Sequence, residues 1–218
     1  MVTGRKYIAV LLVSLMATLS AASNIRSYFA GMDDPFFDRI TQRFSSSGSS
    51  RLAGARQRLL DRIDKPTEND TTALLGFVND LFNRTPQVSD VSHWGSNDYW
   101  STPAELVASN GGDCEDFVIA KYLALRESGI PAEKLRLTYT KSFQGVKIEN
   151  HMVLAYYPTP EAEPFLLDNI QPQMLIASKR PDLHPVYEFS GELSDRYSGT
   201  AMRKWDDLIQ RMNKEFAS

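Results

Sequence analysis

Apolar residues recur every three or four positions along the first half of the chain, which is the period of amphipathic helices. In the segment 51–64, for example, Leu52, Ala55 and Leu59 fall on one side of a helical projection. The same period, with capping residues and prolines near the ends, predicts helices over 33–44, 51–64, 73–84, 103–109, 114–128 and 200–216. The helix over 114–128 is apolar on most of its circumference, so we expect it to be central and buried.

Two polar stretches interrupt this pattern. The run SSSGSS at 45–50 contains only serine and glycine and predicts a flexible link. The longer segment 85–102 is rich in turn-forming residues and carries two of the three tryptophans. We expect Trp100 to pack in the core beneath the central helix, whereas Trp94 is either a core residue or an exposed anchor for a partner.

Beyond the sequence Gly129-Ile130-Pro131 the pattern changes to the alternation that is typical of strands. It predicts strands over 135–142, 151–158, 164–170 and 186–191, joined as an antiparallel sheet. Because the helices come first and the strands follow, the fold class is α+β.

The N-terminus has the layout of a secretory signal peptide over residues 1–23: Arg5 and Lys6, a short apolar run, and then small residues. An uncleaved membrane anchor is the alternative, although the apolar run is shorter than the ~20 residues of a membrane span. We therefore expect an exported protein. The segment 24–50 is predicted to be an N-terminal helix with a flexible linker, and 51–218 a single domain.

Composition and charge narrow the range of functions. The chain is 42% hydrophobic and 23% charged, as in globular proteins, and its formal net charge is −3. It contains no run of lysine and arginine long enough to form a phosphate-binding stripe, so we expect no nucleic-acid partner.

The chain contains a single cysteine, Cys114, placed where the central helix begins. A thiolate gains there from unpaired amide hydrogens and from the helix dipole. His151 opens a predicted strand and Asp168 lies near the end of the next, so neighbouring strands can hold them side by side. The spacing suggests a nucleophile, a base and an orienting carboxylate, with the Cys114 amide as half of an oxyanion hole.

Plainer interpretations of these residues remain open. A lone cysteine is commonly a packing residue, and His93 and His184 are competing candidates for the base. The second oxyanion donor is unassigned, with Asn97, Tyr99 and Trp100 as weak candidates.

Three carboxylates surround the cysteine: Asp113, Glu115 and Asp116. They oppose ionisation of a thiol, and a divalent cation would reverse that effect. Hard oxygen ligands suit calcium rather than zinc, and carbonyls of residues 131–135 are candidates to complete the shell. The alternative is that these residues cap the helix and favour its first turn electrostatically.

Four segments resemble the bacterial transglutaminase-like cysteine proteases of the LapG type. They are YWSTPAE at 99–105, GDCEDFVIAKY at 112–122, NHMVL at 150–154 and LDN at 167–169. The resemblance covers roughly residues 50 to 190, and the block Gly112-Asp113-Cys114-Glu115-Asp116 is its most specific part. It favours calcium over simple capping for the three carboxylates.

The resemblance implies a papain-like or transglutaminase-like core, with the catalytic cysteine at a helix N-terminus packed on an antiparallel sheet. It also implies a Cys114–His151–Asp168 proteolytic triad, dependence on calcium, and residence in the periplasm. The implied substrate is the N-terminal region of a large secreted biofilm adhesin, cut near a di-alanine motif. The implied partner is an inner-membrane receptor for cyclic diguanylate that sequesters the protease.

Two other functions compete with proteolysis. An amine could resolve the same thioester, which would make the protein a transglutaminase-like acyl transferase. A calcium-stabilised periplasmic binding module with an inert thiol belongs to a different class, because it needs no reactive cysteine.

Overall fold

The helical period of the N-terminal half is realised in the computed structural model, which describes residues 27–65, 71–191 and 199–217. The expected signal peptide at 1–23 lies outside these residues. The helices are α1 (Asp34–Arg43), α2 (Ser46–Asp64), α3 (Thr71–Phe82), α4 (Asp90–Trp94), α5 (Pro103–Ser109), α6 (Cys114–Glu127) and α7 (Thr200–Phe216). Within the described ranges, none of them combines the length and apolar character needed to cross a lipid bilayer.

The flexible link predicted at 45–50 is wrong, because α2 begins at Ser46. Ser45 caps the helix: its hydroxyl accepts a hydrogen bond from the Gly48 amide at 3.0 Å. Gly48 is buried against the backbone of α5, close to the Ala108 carbonyl. The serine-rich run is therefore the first turn of a packed helix, and the expected domain boundary between 50 and 51 falls inside α2.

The second half of the chain forms one antiparallel sheet in the order β4-β3-β2-β1-β5, which confirms the α+β class. The strands are β1 (Leu135–Gln144), β2 (Lys147–Tyr156), β3 (Phe165–Leu167), β4 (Leu175–Ile176) and β5 (Leu183–Phe189). The hairpin of β1 and β2 is longer than predicted, because pairing continues to Gln144 and Lys147. His151 therefore lies in the middle of β2 and does not open the strand.

Helix α6 is the centre of the fold, as its apolar circumference predicts. Every residue from Asp116 to Arg126 is buried, and the helix packs between α3 and β2. Trp100 is also a core residue, stacked on Phe189 with 6.2 Å between ring centroids. Trp94 is half-buried, with its ring against Phe44 and Tyr99.

We expect the two glycines of α2 to respond oppositely to alanine. A methyl group at Gly48 would lie 2.6 Å from the Ala108 carbonyl oxygen, which is backbone and cannot move aside easily. Gly48→Ala should lower the free energy of unfolding by ~1–3 kcal/mol through overpacking. Gly54 has only a flexible arginine tip at 3.6 Å, so Gly54→Ala should raise it by up to ~1 kcal/mol through helix propensity. Urea unfolding of both variants measures the difference, and a stabilised Gly48→Ala would show that the serine-rich turn is loosely packed.

Candidate active site and metal centre

Cys114 is the first residue of α6, as the sequence predicts. Its side chain is half-buried, and the thiol donates to Glu115 Oε2 at 2.8 Å. Burial and the adjacent carboxylates of Glu115 and Asp113 raise the pKa of the Cys114 thiol well above its ordinary value, against the opposing effect of the Met152 amide. In this arrangement the sulfur therefore carries a proton.

His151 and Asp168 form an ion-pair geometry on β2 and just beyond β3. His151 Nε2 lies 2.8 Å from Asp168 Oδ1, and both side chains are buried. The register that pairs Leu154 with Leu167 leaves Asp168 one residue past the end of β3, on the face of the sheet that His151 occupies. The sequence-based prediction that neighbouring strands bring these two residues together is confirmed.

Arg180 completes this pair, and no pattern in the sequence indicates it. Its Nη1 lies 2.8 Å from Asp168 Oδ2, and its Nη2 lies 2.8 Å from Asp182. Burial alone would raise the pKa of Asp168, but hydrogen bonds from His151, the Ile170 amide and Arg180 outweigh it and hold that pKa well below its usual range. Asp168 is therefore ionised at neutral pH.

Cys114 lies beside β2, next to Met152, which is the residue that follows His151. Helix α6 packs on β2, and the Met152 amide hydrogen points to the Cys114 sulfur. The competing histidines have other contacts: His93 is 2.7 Å from Ser109 Oγ, and the His184 ring packs on Phe143. Within the described chain, His151 is the histidine that is paired with a carboxylate.

A cluster of three carboxylates lies at the start of α6. It contains two of the predicted residues, Asp113 and Asp116, and its third member is Asp90 in place of Glu115. Ligand oxygens of Asp90, Asp113 and Asp116 all lie within 4.8 Å of one another. Asp90 comes from α4 and was missed, because nothing in its local sequence distinguishes it from a surface aspartate. The carboxylate of Glu115, the third predicted ligand, accepts a hydrogen bond from the Cys114 thiol. Its role as a metal ligand stays a prediction.

The acidic cluster is held by backbone and hydroxyl donors. Asp116 accepts from the Ser101 amide at 2.6 Å, from the Ser101 hydroxyl at 3.1 Å and from the Asp113 amide at 3.2 Å. Asp90 accepts from the Tyr99 amide. Burial, followed by the neighbouring carboxylates, raises the pKa of Asp113 to about 9, and burial is also the largest cause that raises the pKa of Asp116 to about 8.

These residues fit a calcium ion. Asp90 Oδ1 and Asp113 Oδ1 are buried and receive no hydrogen bond from the described residues. Two oxygens without donors, in a group of like charges, are what a hard cation would satisfy. Asp113 and Asp116 also form the helix N-terminus, so capping and metal binding are compatible functions of the same side chains.

The carbonyls of 131–135 cannot complete the metal shell, and that expectation is wrong. They follow the C-terminal end of α6, whereas the carboxylates lie at its N-terminal end. The 14 residues of the helix separate the two groups by about 20 Å at ~1.5 Å per residue.

The structure also shows the contacts of the three candidate oxyanion donors, Asn97, Tyr99 and Trp100. The Tyr99 amide donates a hydrogen bond to Asp90, and Asn97 is exposed. The buried Trp100 Nε1 has no hydrogen-bond partner among the described residues, and its ring is stacked on Phe189.

Comparison with known proteins defines the class. The family model of the bacterial transglutaminase-like cysteine proteinases matches residues 54–193, which is most of the chain. The chain belongs to this family. A comparison with the curated proteins finds no match.

Among solved structures, the chain is similar to LapG of Legionella pneumophila, with 37% sequence identity and a TM-score of 0.66. The alignment covers 81% of this chain and 95% of the Legionella protein. Structures of that protein treated with EGTA and bound to calcium are similar to the same degree, with TM-scores of 0.66 and 0.65 and identities of 37% and 36%. They cover 81% of this chain and 95% and 97% of their own chains.

We expect Arg180→Gln to destabilise the protein by ~3–5 kcal/mol at pH 7, because it leaves the buried Asp168 carboxylate without its cation. The pKa of Asp168 is depressed in the folded state, so its stabilisation is present above the unfolded-state pKa of ~3.9 and is lost as pH falls further. The difference between wild type and variant should therefore shrink below about pH 4.

Urea unfolding at pH 7 and at pH 3 measures this dependence. Lys179→Gln, which removes a neighbouring exposed charge, is the matched control and should change stability by less than ~0.5 kcal/mol. Equal effects of the two substitutions would contradict the assigned pairing.

Proposed function

We propose that this protein is a calcium-dependent cysteine endopeptidase with Cys114, His151 and Asp168 as its catalytic residues. The observation that carries the proposal is the buried His151–Asp168 pair, at 2.8 Å, with His151 on β2, the strand beside which the N-terminus of α6 places Cys114. Membership of a cysteine proteinase family supports the same reaction type.

The roles of the three residues follow from the hydrogen bonds. Because His151 Nε2 faces Asp168, its proton is held there and Nδ1 is left as the base. Nδ1 takes the proton of Cys114 as the sulfur attacks the carbonyl carbon, and it then protonates the leaving amine as the peptide bond breaks. A water molecule, deprotonated by the same nitrogen, hydrolyses the thioester and releases the thiol. Asp168 stabilises the imidazolium that forms in each half-reaction.

Before this chemistry begins, the hydrogen bond from the Cys114 thiol to Glu115 must break, so that the proton can pass to His151. Asp90, Asp113 and Asp116 would hold the calcium ion, whose charge offsets the carboxylates that oppose thiolate formation. Glu115 is adjacent to both the cluster and the thiol, so a change at one is transmitted to the other. The calcium-bound form of the similar Legionella LapG supports this assignment.

The proposed substrate is the N-terminal region of a large surface adhesin, cut near a di-alanine motif so that the adhesin is released and the biofilm disperses. The motifs shared with the LapG type support this substrate and also support export to the periplasm. They further support sequestration by an inner-membrane receptor for cyclic diguanylate. A cleft of about 390 Å³ lies beside His151 and is lined in part by Gln144, Ile170 and Gln171.

The calcium assignment predicts the reactivity of the thiol. Alkylation of Cys114 by iodoacetamide at pH 7 should be at least about tenfold faster with calcium than with EGTA, which corresponds to one unit of thiol pKa. His151→Ala should remove the increase, because the base that accepts the proton is lost.

The matched control is His184→Ala, which removes a histidine that packs on Phe143 and should keep the calcium response. If calcium leaves the alkylation rate of the wild-type protein unchanged, the carboxylates are helix caps and the calcium assignment is wrong.

The proteolytic assignment predicts two peptide products from an adhesin fragment that carries the di-alanine motif. Cys114→Ser should reduce the rate by about a thousandfold or more, because the nucleophile is lost. Substituting the two alanines by glutamates should protect the fragment. Mass spectrometry distinguishes hydrolysis from acyl transfer, since covalent cross-links in place of two free fragments would indicate a transglutaminase.

A further inference from the structure

The two aspartates that flank Asp113 in the acidic cluster are both held by one loop, residues 98–101, which we call the bracing loop. The Tyr99 amide donates to Asp90 of α4. Two residues later, the Ser101 amide and hydroxyl donate to Asp116 of α6. The loop therefore sets the separation of two carboxylates that belong to different helices.

The C-terminal helix α7 fixes the bracing loop through Arg211. Its Nη1 is 3.0 Å from the Tyr99 hydroxyl and 2.9 Å from Glu105 Oε2, and its Nη2 donates to the Trp100 carbonyl. The guanidinium also lies over the Tyr99 ring, 4.6 Å from its centroid. Arg211 thus contacts the side chain of one loop residue and the backbone of the next.

The other contacts of α7 with the loop include those of Lys204, which donates to the Asp98 carbonyl and lies over the Trp100 ring, 5.6 Å from its centroid. A crevice of about 250 Å³ lies between α7 and the loop, and Asp98, Trp100 and Asp207 are among the residues that line it. Lys204 pairs with Asp98 at the exposed end of the loop, where solvent weakens the attraction. Arg211 is about as exposed as Lys204, but its partner Glu105 is buried, so its hydrogen bonds are the stronger constraint.

Fixing the loop matters because the carboxylates it holds repel one another. An ion binds such a cluster most tightly when the oxygens are already in place, since no further ordering is then required. Groups that orient metal ligands without touching the metal commonly change affinity by about 10- to 100-fold when they are removed.

We propose that Arg211 is a positioning residue for the calcium site and that α7 sets the calcium affinity through the bracing loop. This inference rests on the proposed function in one respect, that Asp90, Asp113 and Asp116 bind calcium. It adds a determinant of affinity on a separate helix, which acts on the ligands through Tyr99, Trp100 and Ser101.

The test is calorimetric titration of the full chain with calcium chloride. Arg211→Met keeps the aliphatic stem and removes the donors, and it should raise the calcium Kd by about tenfold. Arg211→Lys, which keeps the charge and fewer donors, should give an intermediate Kd. Arg203→Met is the matched control: Arg203 is an exposed residue of α7 that bonds Thr200, and its removal should leave the Kd unchanged.

Tyr99→Phe tests the other end of the contact. It removes the hydroxyl that accepts from Arg211 and keeps the backbone amide that donates to Asp90, so it should also weaken calcium binding. If Arg211→Met does not fold, as judged by circular dichroism, Tyr99→Phe decides the question by the same titration.

The outcomes are distinct. A folded Arg211→Met with a lower melting temperature in EGTA and an unchanged calcium Kd would show a merely structural role and overturn the inference, as would an unchanged Kd in Tyr99→Phe. A wild-type protein that binds no calcium would overturn the metal assignment of the proposed function itself. A raised Kd in Arg211→Met and Tyr99→Phe, with Arg203→Met unaffected, supports the inference.

Discussion

The mutual repulsion of Asp90, Asp113 and Asp116 is the constraint on which the site depends. Three carboxylates whose oxygens lie within 4.8 Å cannot all be ionised in a buried place without a cation. The fold surrounds them with donors: the start of α6, the Ser101 amide and hydroxyl, and the Tyr99 amide. These donors hold the oxygens in place but do not neutralise their charge. The thiol of Cys114 lies in the same negative field, and Asp113 adds to burial and to Glu115 in opposing its ionisation.

The two groups of buried carboxylates have pKa shifts in opposite directions. Asp168 has a cation built into the chain, Arg180, and its pKa is lowered. Asp113 and Asp116 have none among the described residues, and their pKa values are raised to about 9 and about 8. The carboxylate of the proposed triad therefore has its counter-ion within the chain, whereas the cluster beside the nucleophile has no cation among the described residues. In the proposed mechanism, this division separates the His151–Asp168 pair, which is assembled in the chain, from the cluster that would respond to calcium.

Local patterns in the sequence predict what is local in the structure. The period of α6 and the position of Cys114 at its start follow from a few neighbouring residues, and the strand alternation brings His151 to Asp168. Asp90 and Arg180 were missed because each reaches the site from a loop-rich region through tertiary contacts, with no periodic signal around it. The run at 45–50 was misread for a related reason: its serines and glycine are helical only because α5 lies against Gly48.

The family model spans residues 54–193, and the two helices that frame the site from outside, α1 and α7, lie beyond those limits. They converge on Glu105 of α5, a fully buried carboxylate that pairs with Arg43 from α1 and with Arg211 from α7. Glu105 also accepts from the Tyr99 hydroxyl, so the same residue links both terminal helices to the loop that holds Asp90 and Asp116. The proposed ligands and the bracing loop belong to the matched core, while the arginines that contact the loop and Glu105 come from the segments around it. If the cluster binds calcium as proposed, substitutions in the terminal helices would change its affinity with no change to the ligands or to the proposed catalytic residues.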